Sequence, residues 1–209
     1  MKKIFLFIGV LCTLSLSAQS QYEKGMNKAF EFWGQGKMTE ASNLFERISK
    51  AESNNWIPAY YAAYVNIMSA FGQKDEATLN SILEKATQQL DQAALNSPNN
   101  PEIIIMQALK NTAYIAFDGQ KYGMTLSGKN AALFEKAIQI APKNPRVLLQ
   151  KAEWDMGAAK FFGQSTEPFC KDIEKALELF KNETKSEVKF APSWGKERAE
   201  QVLEQSCGK

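Results

Sequence analysis

Lys85-Ala86-Thr87-Gln88-Gln89-Leu90-Asp91-Gln92-Ala93-Ala94-Leu95-Asn96-Ser97-Pro98-Asn99-Asn100-Pro101 has a counterpart further along the chain, Lys129-Asn130-Ala131-Ala132-Leu133-Phe134-Glu135-Lys136-Ala137-Ile138-Gln139-Ile140-Ala141-Pro142-Lys143-Asn144-Pro145. Lys85, Ala93, Pro98, Asn100 and Pro101 fall on Lys129, Ala137, Pro142, Asn144 and Pro145 without a gap. Leu90-Asp91 in one copy and Phe134-Glu135 in the other stand ahead of the shared alanine. Self-similarity on this scale marks a helical repeat array, in which each unit hides its apolar face only against its neighbours. The fold expected is therefore an all-α solenoid of about four helix hairpins with a C-terminal capping helix.

Apolar spacing of three and four predicts helices over 22–34, from Ala41 past Ile48, and over 56–71, 76–95, 101–117, 129–140, 145–162, 167–180 and 193–206. Asn100-Pro101 and Asn144-Pro145 are helix starts: the Asn side chain caps, and Pro occupies a first position that needs no donor. Near the N-terminus, Gly36 makes a turn, Ala41 lets two helices approach and Phe45 fills the space beside it. These three residues resemble the tetratricopeptide repeat family, which implies helix hairpins stacked into a superhelix. From Asn99 to Cys207 the resemblance narrows. Asn144-Pro145-Arg146, Phe161-Phe162-Gly163 and Pro192-Ser193-Trp194-Gly195-Lys196-Glu197 look like a group of exported tetratricopeptide-like bacterial proteins with no defined biochemical activity. That group often carries several Gly after the Phe pair, where this chain has Gln164-Ser165. The resemblance implies the fold and export, and supplies no catalytic residue.

The chain opens with Lys2-Lys3, an apolar run from Ile4 to Leu16, and Ser17-Ala18. This order reads as a secretory signal over 1–18, cleaved after Ala18, followed by one domain over 19–209. The run is shorter than the roughly 20 apolar residues of a membrane span. Lipid attachment at Cys12 is disfavoured because Val10-Leu11 lacks the small residue it needs. The sequence holds 25 Lys+Arg against 23 Asp+Glu, and loss of Lys2 and Lys3 brings the basic count down to 23, level with the acids. A neutral chain has no bulk attraction for nucleic acid or an anionic membrane. The expected location is the periplasm or the exterior.

There is no His. That removes His-based triads, His zinc sites and the commonest general base near neutral pH. Acids such as Glu84 and Glu135 fall on faces that repeat helices turn to water. Gly123-Met124-Thr125-Leu126-Ser127-Gly128-Lys129-Asn130 nearly spells a phosphate loop, but Asn130 replaces the hydroxyl that would hold magnesium and no strand precedes it. No catalytic, metal or cofactor-binding residue is assigned, and no cofactor is expected. Trp33, Trp56 and Trp154 have core spacing.

Cys170 and Cys207 remain after signal removal. In an oxidising compartment a disulfide between them is expected, because the start of the helix over 167–180 should meet the end of the helix over 193–206 in an antiparallel pair; a pair of buried thiols is the alternative. Gly119, Gly123 and Gly128 predict a long loop over 118–128. Its Tyr122, Met124 and Leu126 are expected on the same rim of the array as Phe161 and Phe162, either contacting a partner or packing back on the body. The function read from the sequence is a non-catalytic envelope scaffold. It would bind a protein or peptide through this rim or the concave helix face. A self-associating structural subunit is the alternative, and a carboxylate hydrolase acting on glycan a more distant one.

Overall fold

The computed structural model describes residues 21–208, with helices and no strand among them. The expected signal segment over 1–18 lies outside the described residues. The helices are α1 (residues 21–34), α2 (Met38–Ala51), α3 (Trp56–Ala70), α4 (Glu76–Asn96), α5 (Pro101–Phe117), α6 (Gly119–Ile140), α7 (Pro145–Phe161), α8 (Cys170–Lys181) and α9 (Lys196–Cys207). A single 3₁₀ turn, Glu167–Phe169, leads into α8. None of them is long and apolar enough to cross a membrane.

Five successive helices are opened by an Asx side chain. Asn55, Asp75, Asn100, Asp118 and Asn144 accept from backbone N–H groups of the first turns of α3 to α7. Each such cap contributes about 1 kcal/mol by satisfying a donor that the helix itself cannot. At Asn100 and Asn144 the proline follows as the sequence predicts, so the repeat is a repeat of helix starts.

Helices adjacent in sequence pack antiparallel, and α3 also touches α5, as α5 touches α7. The first helices of successive hairpins thus stack side by side. That position explains α3: it is buried on several sides, so Ala59, Tyr60, Ala62, Ala63, Val65 and Ile67 are all fully covered. A helix enclosed in this way is apolar nearly all round instead of striped. At the N-terminal end, the Phe30 ring meets Phe45 and Tyr61 edge-on, at 5.1 and 4.7 Å. Ala41 beside them has no exposed surface. A second core forms where Leu149, Ala152 and Met156 of α7 meet Ile173, Ala176 and Phe180 of α8 and Val202 and Leu203 of α9.

Residues 182–195, between α8 and α9, do not simply turn back. They run across α7, α3 and α1. Glu183 takes two bonds from Arg146 on α7. Lys189 pairs with Glu23 at 2.5 Å, and Phe190 stacks on Phe30 and meets Tyr22 edge-on, both on α1. Trp194 donates its indole N–H to the Tyr60 hydroxyl at 2.8 Å and lies 5.1 Å from the Tyr64 ring, both on α3. This strap covers the face formed by the first helices, a face that the sequence alone left open for a peptide. The last helix therefore starts at Lys196, not near Ser193. Gly195 sits at φ +114 with its α-carbon under Phe180, where a Cβ would come within 2.6 Å of the ring. A side chain there would meet both a strained backbone and a buried aromatic.

Cys170, the first residue of α8, is bonded to Cys207, the last of α9, with their α-carbons 5.9 Å apart.

The expected loop over 118–128 is a correction: it is the first half of α6, and the expected helix over 129–140 is only its second half. Asp118 caps it through Lys121 N at 2.9 Å. The three glycines cost helix stability, roughly 1 kcal/mol each relative to Ala. Side chains of this half that pack against α4 and α5 outweigh that cost. Gly119 also has a steric reason, since a Cβ there would come within 3.0 Å of the Phe161 ring. The near-phosphate motif lies wholly inside this helix, so it forms no loop that could wrap a phosphate.

Candidate functional site

A groove of about 820 Å³ runs along α5, between α4 and α6. Its floor is the stripe Gln107, Lys110, Asn111 and Tyr114 of α5, residues three and four apart and hence on one helix face. Thr87, Leu90 and Asp91 of α4 form one wall. The other wall is the α6 stripe Tyr122, Leu126, Lys129, Leu133 and Lys136, again at helical spacing. Because α4 and α6 both run antiparallel to α5, their N-terminal ends meet at the same end of the groove.

That end is aromatic and clasped. The Tyr114 and Tyr122 rings lie 5.0 Å apart. The Tyr122 hydroxyl donates to Glu76 Oε1, at the start of α4, and Lys121 Nζ donates to the same oxygen. The bonds from Lys121 and Tyr122 hold the Glu76 carboxylate below its ordinary range. The same bond pushes the Tyr122 phenol up, while burial raises that of Tyr114.

The middle and far end carry positive charge. Lys110 Nζ donates to Thr87 Oγ1 at 3.1 Å. Burial lowers its pKa; Asp91 partly offsets this, and the charge of Lys129 adds to it. None of Lys110, Lys129 and Lys136 closes an ion pair among the described residues. Under the floor, Asn130 is fully buried. It accepts from Asn111 Nδ2 at 2.9 Å and donates to Ala108 O and Thr112 Oγ1 at 3.2 and 3.1 Å. These bonds lock α5 to α6 and so fix the width of the groove. An apolar, aromatic trough with one half-buried and two exposed ammonium groups along it is suited to a flat apolar molecule that carries carboxylates.

The residues expected on one rim are divided. Tyr122 and Leu126 line the groove. Met124, two residues from each, is 94% exposed on the outside of α6. Phe161 and Phe162 end α7, 64% and 71% exposed, with their rings 5.2 Å apart and Phe161 against Gly119 at the start of α6. Lys110 and Tyr114 were not singled out from the sequence, although they belong to a polar stripe on α5, a helix otherwise largely apolar, and Lys129 and Lys136 were read there only as parts of the repeat and of the near-phosphate motif.

Among the described residues no group of three or more His, Cys, Asp or Glu could hold a metal ion. No family model matches the chain, and no curated protein matches it. Among solved structures it is similar to the HusA haemophore from Porphyromonas gingivalis, with a TM-score of 0.75 and 25% identity over 87% of this chain and 90% of that chain. That neighbour is, as its name says, a haemophore.

Proposed function

We propose that this chain is an exported, non-catalytic carrier whose groove between α4, α5 and α6 holds a planar, apolar dicarboxylate of the tetrapyrrole class, haem being the reference member. The observation that carries the reading is the composition of the groove. The Tyr114–Tyr122 pair with Leu126 and Leu133 offers apolar surface, and Lys110, Lys129 and Lys136 offer unpaired cations along it. Burying a flat macrocycle gains hydrophobic and stacking energy, and its carboxylates find charge-assisted hydrogen bonds. The likeness to a haemophore supports the same ligand class. In this reading the array is tetratricopeptide-like, one domain over 19–209, and reaches the periplasm or exterior after loss of 1–18.

Titration with ferric protoporphyrin IX, followed by Soret absorbance, should saturate at one equivalent. Replacing both Lys110 and Lys129 by Ala should weaken binding by about 10- to 100-fold, the value of one strong charge-assisted bond. Binding unaffected by that double substitution overturns the site. Contact with a protein partner is a second reading, favoured by the adjacent exposed rings of Phe161 and Phe162 at the edge of the array. Alanine at both positions would then abolish partner capture while leaving porphyrin affinity unchanged.

A further inference from the structure

We propose that the face formed by α1, α3 and α7 accepts the strap of a second copy of this chain as well as its own, and that the Cys170–Cys207 bond decides which. Closed within one chain, the bond fixes a monomer. Closed between two, it fixes a dimer that has exchanged its C-terminal segments. The inference is independent of the cargo of the groove.

The segment and its seat are separable. The strap is anchored by Lys189 on Glu23, by Phe190 on Tyr22 and Phe30, and by Trp194 on Tyr60 and Tyr64. α9 continues the docking: Arg198 pairs with Glu153 of α7 at 2.7 Å, and Ala199, Val202 and Leu203 complete the second core. All of the receiving groups named lie before residue 182 in the chain. Thr184, Lys185, Ser186 and Glu187 join the two parts; they are exposed and make no hydrogen bond or ion pair to a helix among the described residues. A hinge there lets residues 188–207 dock on a second copy with the same contacts, which is the condition for exchange of an identical element between protomers.

Concentration decides between the two dockings. A short tether holds the chain's own segment at an effective concentration on the order of millimolar, so a second copy at about 10 μM is a roughly hundredfold weaker competitor. With both thiols free, exchange is therefore a minor state. A bond within the chain withdraws the segment from exchange, and a bond between chains traps it. Cys170 is buried at the seat of α9, so a Cys207 from another copy reaches it by taking that seat. Opening the bond takes two electrons and two protons from a dithiol, which closes to its own ring disulfide. Closing it passes them to glutathione disulfide, which leaves as two glutathione thiols.

The test uses the exported form, residues 19–209, whose two cysteines are Cys170 and Cys207. Cys170→Ser and Cys207→Ser variants, each checked for helical content, are incubated with glutathione disulfide alone and as a mixture, then resolved on a non-reducing gel. The mixture should give at least about tenfold more covalent dimer than either variant alone, because the surviving thiols meet across an exchanged pair. No dimer, or as much dimer from one variant alone, overturns the proposal, since random collision would link like with like. Wild type reduced with dithiothreitol and returned to glutathione disulfide gives a second reading and decides alone if either variant loses its helices. Its dimer fraction should rise with protein concentration, and digestion of the isolated dimer should yield the Cys170 peptide joined to the Cys207 peptide. Monomer at every concentration, or a dimer joined through like cysteines, overturns it.

Discussion

Glu102 and Arg146 hold the same place in the two copies of the repeat, each directly after its proline, and they meet. Glu102 Oε1 accepts from Arg146 Nε at 2.8 Å and from Asn144 Nδ2 at 2.7 Å. Arg146 Nη1 and Nη2 reach the Glu183 carboxylate at 3.0 and 2.5 Å. Burial opposes the charge of Arg146, but its bonds to Glu183 and Glu102 win and hold the guanidinium above its already high pKa. One side chain thus ties α5, α7 and the strap together. A buried pair of this kind adds little over an apolar substitute, yet breaking it strands a charge. Arg146→Met should therefore cost about 3–5 kcal/mol, read as a lower urea midpoint. Glu102→Gln, which still accepts from Asn144, should cost clearly less. Equal losses would mean that the charge of Glu102 matters as much as the presence of Arg146.

At the scale of the element, α6 decides whether a binding surface exists. Its first half supplies Tyr122 and Leu126, without which that wall of the groove loses its aromatic end. Three glycines within ten residues made it look like a loop. The better signal was a stripe through that segment: residues 122, 126, 129, 133 and 136 are spaced four, three, four and three, a helix face that ignores the supposed boundary at 129. Glycine composition is a local cost, whereas the stripe reports burial against neighbours, and burial is larger. Gly123 and Gly128 face open space within the helix, with nothing within 4 Å of a Cβ. Gly123→Ala and Gly128→Ala should each stabilise the chain by about 0.5–1 kcal/mol, visible as a raised denaturation midpoint. A fall would mean that this half of α6 is not helical in solution.

For the whole molecule, the strap and the disulfide form one device. The Cys170–Cys207 bond closes a loop with a sequence separation of 37 residues, and that loop contains the strap. The strap in turn joins the last hairpin to α1 and α3, through Phe190 and Trp194. A repeat array is otherwise held only by neighbour contacts; here one segment bridges its two ends. In the chain-entropy model a loop of this size stabilises by about 3–4 kcal/mol. Reduction should lower the denaturation midpoint accordingly. Trp194 should move into water before the helical signal is lost, so its fluorescence should shift to the red in reduced protein at low denaturant. Loss of helix and Trp194 burial in a single step would show that the strap has no independent stability.

The local rules that the sequence obeys, helix starts at Asn-Pro, alternating helices and turns, and alanines at close contacts, determined the all-α array and most of its boundaries. They do so because caps, prolines and three-four spacing act over a few residues and are written in consecutive positions. Cys170 and Cys207 could be paired on paper because neighbouring antiparallel helices bring a start against an end. The groove, the strap across the first-helix face and the division of the expected rim were decided only in three dimensions. Each depends on which faces of separate helices meet: Lys110 with Lys129, Tyr114 with Tyr122, and Trp194 with Tyr60 across most of the chain. Such meetings follow from the packing of whole hairpins, and no short stretch of sequence contains them.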